Sequence, residues 1–333
     1  MDATFLVHNL LSPPILFFFV GMAATLLKSD LEIPAPIPRL FSIYLLWAIG
    51  FKGGVELSKG GLTVEVLLTL AAAVALSALV PIYTFFLLRR RLGADNAGAI
   101  AAAYGSVSAV TFITAANFLE QRGIVFGGHM VAATALMEAP AIVIGVLLAR
   151  RYARQETAAE PLDRHASLGH LVREAFLNGP VFLLLGSLLV GLLSGERGFV
   201  MLRPFTRDIF HGVLVLFLLD MGLVAAAKLG DLRRAGLFPL VFALIVPLIN
   251  AGAAIAVAWV IGIGRGDALL LAVLCASASY IAVPAAVRLA IPRASASLYL
   301  PMAIAITFPF NIAVGMPLYL AVIDAVWNAT GRS

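Results

Sequence analysis

The chain has 333 residues, of which 62% are hydrophobic and only 12% are charged, and its mean hydropathy is +1.01. Soluble domains carry roughly 25% charged residues, so this composition excludes an ordinary soluble protein and indicates an integral membrane protein. The net charge of +5 does not require a nucleic-acid partner, because the placement of the basic residues accounts for it. Cys275 is the single cysteine, which excludes a disulfide within the chain.

Ten apolar stretches are predicted to cross the membrane as helices, since a span needs about 20 mostly apolar residues to cover about 30 Å of hydrocarbon. The first stretch has neither a basic segment before it nor a small-residue cleavage site after it, and is therefore predicted to be a retained span and not a signal peptide. The ten stretches are residues 10–28, 38–57, 64–88, 95–119, 127–149, 178–194, 206–227, 237–263, 267–290 and 298–326.

Basic residues are concentrated on the loops of one side. Most of the 23 Lys and Arg residues fall between spans 1 and 2, 3 and 4, 5 and 6, 7 and 8, or 9 and 10: Lys28, Arg39, Arg89, Arg90, Arg91, Arg150, Arg151, Arg154, Arg164, Arg173, Lys228, Arg233, Arg234, Arg288 and Arg293. Cytoplasmic loops are the ones enriched in Lys and Arg. The sequence therefore predicts a multi-pass protein of the plasma (inner) membrane with both termini outside.

The longest polar interruption, residues 151–177, divides the chain into two similar halves and is predicted to be a cytoplasmic linker. Landmarks recur in the same order in residues 1–150 and 178–333 with offsets of 166 to 171 residues: Pro14 with Pro180, Gly53 with Gly222, Pro81 with Pro247, Ser106 and Ser108 with Ser277 and Ser279, Pro140 with Pro309, and Gly145 with Gly315. Each half has five spans, an odd number, so the second half crosses in the opposite sense. The fold prediction is two inverted-topology five-helix repeats, an architecture of secondary transporters with a site near the midplane.

Small polar residues interrupt the fourth and ninth spans at matching places. The fourth contains Gly105-Ser106-Val107-Ser108, and the ninth contains Ser277-Ala278-Ser279 followed by Pro284. Because a broken helix in lipid is tolerated only where protein or water covers it, we predict two discontinuous helices that cross near the midplane. Their second halves would begin near Ser108 and Ser279 and direct free N–H groups at an anion. The alternative is close helix packing by small residues, and the recurrence in both halves favours the site.

A buried acid next to this region predicts a cation. Glu138 lies mid-span, where an ionised carboxylate costs at least about 2.5–3.5 kcal/mol. A bound Na⁺ would offset that cost, and the alternatives are a protonated acid or an ion pair with Lys52. Thr307 and Asn311 occupy the equivalent part of the tenth span, and Asn117 either lines the same cavity or caps a helix. An anion site beside a carboxylate implies that an anion and a cation bind together.

Several long strings resemble the sodium-dependent bicarbonate transporter family, best known from the cyanobacterial carbon-concentrating system. They are LLSPPILFFFVGMAATLLKSDLEIP, IGFKGGVELS, YGSVSAVTF, SASYIAVPAAVRLAIP and SLYLPMAIAITFPFN, and they lie in both halves. The resemblance implies core and gate domains, a homotrimer, sodium-driven bicarbonate import and a PII-like cytosolic regulator, although the linker carries none of these strings. By matching strings it assigns the substrate region to Gly105, Ser106, Ser108, Ser277, Ala278 and Ser279, with Thr111, Glu138, Thr307 and Asn311 nearby.

The leading hypothesis is a sodium-coupled symporter for bicarbonate or a similar small anion, with no cofactor other than Na⁺ as coupling ion. In it, a core built on spans 4, 5, 9 and 10 moves against the remaining spans. A Na⁺/H⁺ antiporter or a bile-acid-type organic anion symporter is the alternative within transport. An enzyme or receptor is disfavoured, because the spans contain no HExxH motif or nucleophile–base pair, the histidines lack metal-ligand spacing, and no phosphate-binding GxxxxGK[ST] loop occurs.

Overall fold

A computed structural model describes residues 11–34, 36–61, 63–156 and 179–331, together with positions 169, 173 and 177. This part of the chain is 86% helical and contains no strand. Its helices are α1 (Pro13–Leu26), α2 (Pro36–Gly60), α3 (Val64–Gly105), α4 (Ala109–Gln121), α5 (His129–Leu136), α6 (Glu138–Glu156), α7 (Gly179–Arg203), α8 (Phe210–Ala235), α9 (Leu237–Ile261), α10 (Arg265–Ala276), α11 (Ala282–Ala290) and α12 (Ala296–Ala329).

Seven helical stretches among the described residues are long and apolar enough to cross a membrane. One of them, Val64–Gln121, comprises 58 residues and contains two interruptions, at Gly93 and at residues 106–108. The first expected span is the 14-residue helix α1, and the ninth is divided between α10 and α11. The all-helical membrane architecture is therefore confirmed, whereas the count of ten spans stays a prediction.

The predicted linker falls largely outside the described residues. Helix α6 continues to Glu156, so its last turns lie within the segment 151–177 that was expected to be linker.

Glycines bend two of the long helices: Gly93, with φ +76°, bends α3, and Gly195, with φ +53°, bends α7. Both values lie in the left-handed region that glycine adopts without steric cost.

Four helices, α1, α2, α7 and α8, form one closely packed group, here called the scaffold group. Glycines bring the backbones together: a Cβ on Gly54 of α2 would lie 2.0 Å from a carbonyl oxygen of α7, and one on Gly222 of α8 would lie 2.0 Å from a carbonyl oxygen of α1. Gly191 of α7 and Gly21 of α1 make the reciprocal approaches.

Along α2 and α7, Gly50 approaches Leu184 O and Gly54 approaches Leu188 O. Along α1 and α8, Gly21 approaches Leu219 O and the Thr25 hydroxyl donates to Leu223 O. In both cases the contacts advance by four residues on each helix, so α2 runs parallel to α7 and α1 runs parallel to α8.

The other helices, α3 to α6 and α9 to α12, form a second group, here called the core group. Helix α3 packs along α6, where the Phe85 and Tyr152 rings lie 5.5 Å apart, and the Tyr83 hydroxyl donates to Asn250 Oδ1 of α9. Helix α9 packs on α10 and α12. The third and eighth predicted spans were expected in the scaffold, and their contacts attach them to the core instead.

Candidate functional site

The predicted interruption of the fourth span is present between α3 and α4. Helix α3 ends at Gly105, Ser106 is extended with ψ −179°, and α4 begins at Ala109. Ser108 is the N-cap of α4, since its Oγ accepts a hydrogen bond of 3.2 Å from Thr111 N–H. A Cβ on Gly105 would lie 2.5 Å from the Pro81 ring, so this glycine serves close packing at the break.

The ninth span is interrupted in the same way. Helix α10 ends at Ala276, Ser277 is extended with ψ 171°, residues 277–279 are not helical, and α11 begins at Ala282. Pro284 lies in the first turn of α11, where backbone N–H groups have no acceptor within the helix, so a residue without an N–H costs no helical hydrogen bond.

The two breaks are hydrogen-bonded to each other. Ser108 N–H donates to Ser277 Oγ at 2.8 Å, and Ser279 N–H donates to Ala103 O at 2.8 Å. Ser277 Oγ in turn donates to Leu274 O, also at 2.8 Å. These bonds satisfy backbone groups that the unwound segments would otherwise leave unpaired at membrane depth.

Replacing Ser277 with Ala is expected to destabilise the contact between the two breaks. The variant removes the acceptor of Ser108 N–H, and an unpaired buried donor costs about 1–3 kcal/mol. The free energy of unfolding in detergent should fall by that amount. Ser187→Ala is the matched control, because Ser187 is also buried and, among the described residues, its hydroxyl donates to Leu183 O of its own helix alone. Equal losses in the two variants would contradict a specific role for the bridge.

The starts of α4 and α11 meet in one central cavity of about 30 Å³, which has room for one or two water molecules. Ser108 and Ala109 line it from one break, and Ser279 to Ala282 line it from the other. Both helices therefore present their N-terminal ends, which carry partial positive charge, to the same space. The scaffold group closes the cavity with the apolar side chains Leu46, Pro180, Val181 and Leu184.

Glu138 lines the same cavity. It is the first residue of α6, directly after the turn at Met137 that ends α5, and it is 7% exposed. Thr134, one helical turn earlier, lines the cavity beside it. The lining therefore combines two helix N-termini, two serines, a threonine and a buried carboxylic acid, a set of groups suited to an anion together with a cation.

Three of the predicted site residues line this cavity, namely Ser108, Ser279 and Glu138. The others are not among its lining residues. Among them, Ser277 bridges the breaks, and Ser106 Oγ and Asn117 Oδ1 are buried without a hydrogen bond to any described residue. The predicted residues outside the lining are Gly105, Ser106, Ser277, Ala278, Thr111, Asn117, Thr307 and Asn311.

The side chains of Thr307 and Asn311 form hydrogen bonds with neighbouring helices. Thr307 Oγ1 donates to Ala243 O at 2.8 Å and lies 2.7 Å from the Tyr104 hydroxyl. Asn311 Nδ2 donates at 2.8 Å to Ala276 O, the last carbonyl of α10, and Asn311 Oδ1 accepts from Tyr319. Their polar atoms therefore cap and connect helices in this conformation.

Tyr280 was missed by the sequence analysis. It follows Ser279 in the second break, its ring packs 6.0 Å from Phe308, and its hydroxyl is buried beside Ser108 without a hydrogen bond of ordinary geometry to the described residues. Its position inside the broken segment was the available signal. Thr134 was also missed, although it precedes Glu138 by four residues, the spacing at which helical side chains share a face.

Two larger cavities of about 500 Å³ lie between the scaffold and core groups. The first lies at the start of α2, near Pro38 and Arg39, and shares Leu46, Pro180, Tyr280 and Ile281 with the central cavity. The second lies at the end of α2, near Lys52 and Glu56, and shares no lining residue with it. The central cavity therefore adjoins only the first of them in this conformation.

Lys52 does not pair with Glu138, which was an alternative considered for the buried acid. Its ammonium group pairs with Glu120 at the end of α4 and lies 5.3 Å from the centroid of the Phe210 ring. The position of Glu138 in the central cavity therefore does not depend on Lys52.

A family model for the Na⁺-dependent bicarbonate transporter superfamily matches residues 13–324 of the chain. The match covers both halves and the segment between them. A search of curated proteins found no match.

Proposed function

The chain belongs to the Na⁺-dependent bicarbonate transporter superfamily, and we propose that it is a sodium-coupled symporter importing bicarbonate or a similar small anion by alternating access. Family membership makes it a transporter and not an enzyme, with bicarbonate and Na⁺ as its indicated solutes. The symport mechanism, the site and the direction of transport are the proposed steps.

The observation that carries the proposal is the central cavity. The N-terminal ends of α4 and α11, with the Ser108 and Ser279 side chains, offer hydrogen-bond donors and partial positive charge to an anion. Glu138, which lines the same cavity, offers a carboxylate to Na⁺. Each ion lowers the cost of burying the other, so binding of the pair is favoured over binding of either alone. Thr111, Asn117, Thr307 and Asn311 do not line the cavity in this conformation and remain candidate cation ligands for another one.

Helix directions support the inverted repeat. In the proposed repeat the sixth span corresponds to the first. Consecutive spans cross the membrane in opposite directions, so the first span runs opposite to the second. Helix α7, which forms the sixth span, runs parallel to α2, which forms the second, and the sixth span is therefore inverted relative to the first. The close glycine contacts also recur: Gly21 and Gly191 correspond, as do Gly54 and Gly222, within the same range of offsets as the other landmarks.

The proposed topology has both termini outside and the basic loops in the cytoplasm of a plasma (inner) membrane. The cavity near Arg39 then opens to the cytoplasm and the cavity near Lys52 opens to the outside. Because only the former adjoins the central cavity, this conformation is proposed to be inward-facing. The homotrimer and the PII-like regulator stay expectations from the family resemblance, and the linker that such a regulator would contact lies mostly outside the described residues.

Electrical energetics favour coupling to Na⁺. Bringing one anion into a negative-inside cell costs about 2.3 kcal/mol per 100 mV, and one entering Na⁺ returns the same amount. A thousandfold accumulation costs about 4.1 kcal/mol, which one Na⁺ per anion supplies from an equal sodium gradient.

The alternatives fit the cavity less well. A Na⁺/H⁺ antiporter of related topology would normally use two adjacent acids, and Glu138 is the only carboxylate among the described residues that line the central cavity. A bile-acid-type symporter would surround a large amphipathic solute with apolar side chains, whereas two helix N-termini, Ser108, Ser279 and Glu138 present polar groups to the central cavity. Small anions are therefore the preferred solutes.

Uptake of radiolabelled bicarbonate into proteoliposomes tests the proposal. We expect accumulation with an inward Na⁺ gradient and only equilibration with a matched K⁺ gradient, when the membrane potential is clamped. The assay is run at alkaline pH over seconds, so that exchange through permeant CO₂ stays small. Protein-free liposomes provide the background.

Equal uptake under the two gradients would reject sodium coupling. Competition by unlabelled formate and acetate then measures the size limit of the site. Vesicle alkalinisation or acidification driven by Na⁺ without any added anion would instead support the antiporter.

A further inference from the structure

The cavity at the end of α2 is lined by charged side chains from both helix groups. The scaffold group supplies Lys52 and Glu56 from α2, Arg207 from the π-helical segment Pro204–Asp208, and His211 from the start of α8. The core group supplies Glu120 from the end of α4. The cavity has about 500 Å³ and lies at the boundary between the groups.

One ion pair crosses this boundary. Lys52 Nζ contacts Glu120 Oε1, and the two side chains are only 17% and 28% exposed. Lys59, near the end of the same helix, instead pairs within the scaffold group, with Glu56 and Glu196 at 3.0 Å each. Glu56 is thus already engaged by Lys59, and the core group's Glu120 is the carboxylate held by Lys52.

Three cationic or protonatable side chains, Lys52, Arg207 and His211, belong to the scaffold group. The carboxylate bound to Lys52 belongs to the core group. A movement of the core group away from the scaffold group at this cavity would take Glu120 away from Lys52. Lys52, Arg207 and His211 would stay on the scaffold group. A carboxylate and a bicarbonate ion share the same planar, charged O–C–O group, so a free anion can replace Glu120 on Lys52 with the same type of hydrogen bond.

We propose that Lys52, with Arg207 and His211, forms an entry site for a small carboxylate-like anion, and that Glu120 occupies this site in the present conformation. The proposal rests on the function proposed above and adds an outer subsite to it. In the inward-facing conformation Glu120 keeps the entry site filled. On outward opening the arriving anion takes its place on Lys52 before moving to the central cavity.

Substitutions of the pair should change anion affinity in opposite directions. Lys52→Gln should raise the KM for external bicarbonate at least about tenfold, because it removes a charge-assisted hydrogen bond. Glu120→Gln should lower that KM about two- to fivefold, since it weakens the internal competitor in a partly exposed pair. Initial rates are measured in intact cells, with bicarbonate as substrate and formate as competing anion.

Arg265→Gln is the matched control. Arg265 is a partly exposed cation paired with Asp324 at 3.5 Å, both in the core group, and it does not line this cavity. Its removal should leave the KM for bicarbonate unchanged, while size-exclusion chromatography checks that each variant is folded.

The charge swap K52E/E120K distinguishes an anion-binding role of Lys52 from a purely structural role of the ion pair. The swap keeps an ion pair across the boundary but attaches the carboxylate to the scaffold group. We expect folded protein whose KM stays raised at least about tenfold. Recovery of the parental KM in the swap, or an unchanged KM in both single variants, would overturn the entry site. Loss of sodium-driven uptake by the unsubstituted protein would instead overturn the proposed function.

Discussion

Replacing Glu138 with Gln is expected to raise the sodium concentration for half-maximal uptake about a hundredfold or to abolish sodium-driven uptake. Glu138 is the carboxylate of the central cavity and is 7% exposed. Removing one partner of a buried charge pair costs about 3–5 kcal/mol, and each 1.4 kcal/mol is a factor of ten in affinity. Gln has nearly the same size as Glu and keeps one carbonyl oxygen, so the variant measures the effect of removing the negative charge.

Sodium titrations of bicarbonate uptake at a saturating anion concentration measure this effect. Glu196→Gln is the control, because Glu196 is an exposed glutamate whose ion pair with Lys59 lies within the scaffold group. The control should retain the parental sodium dependence. A Glu138→Gln protein with the parental sodium dependence would show that the coupling ion binds elsewhere, even if bicarbonate uptake remains.

The same variant should also weaken anion binding indirectly. If Na⁺ lies between Glu138 and the anion, its loss removes a positive charge from the cavity that Ser108 and Ser279 line. The KM for bicarbonate should then rise at low sodium and recover partly at high sodium. Independent effects of sodium and bicarbonate would mean that the two ions do not share this cavity.

The sequence predicted the interruptions of the fourth and ninth spans, which the structure contains. Serines and a glycine within an apolar run are informative because a helix at membrane depth has few other reasons to carry them in both halves. Ser108, Ser279 and Glu138 accordingly lie at one cavity. The helical membrane class also followed from composition, since few soluble domains have so little charge.

The direction in which each side chain points could not be predicted. Thr307 and Asn311 have the polarity of ligands, yet their polar atoms bond to Ala243 O and Ala276 O of neighbouring segments. Tyr280 was overlooked because an aromatic residue in an apolar span normally serves packing. The Lys52–Glu120 pair joins residues 68 positions apart, and no local pattern in the sequence indicates such a contact.

Alanine at Gly54 or Gly222 is expected to prevent the scaffold group from packing and to leave little folded protein. The added Cβ would lie 2.0 Å from Leu188 O or from Phe18 O, respectively, and a backbone carbonyl cannot move aside as a flexible side chain can. Overpacking costs about 1–3 kcal/mol even where side chains adjust, and membrane helices rely on small residues for close contact. The cost here should exceed that range, because two whole helices must separate.

Gly212→Ala in α8 and Gly186→Ala in α7 are the controls, since a Cβ at either position meets no atom within 4 Å. Alanine is favoured over glycine within helices by about 1 kcal/mol, so these variants should be as stable as the parent or slightly more stable. Fluorescence-detected size-exclusion chromatography and thermal unfolding in detergent measure both sets. If Gly54→Ala and Gly222→Ala match their controls, α2 does not pack against α7, nor α8 against α1, as closely as the structure has it. The parallel helix pairs, which support the inverted repeat, would then lose their physical basis.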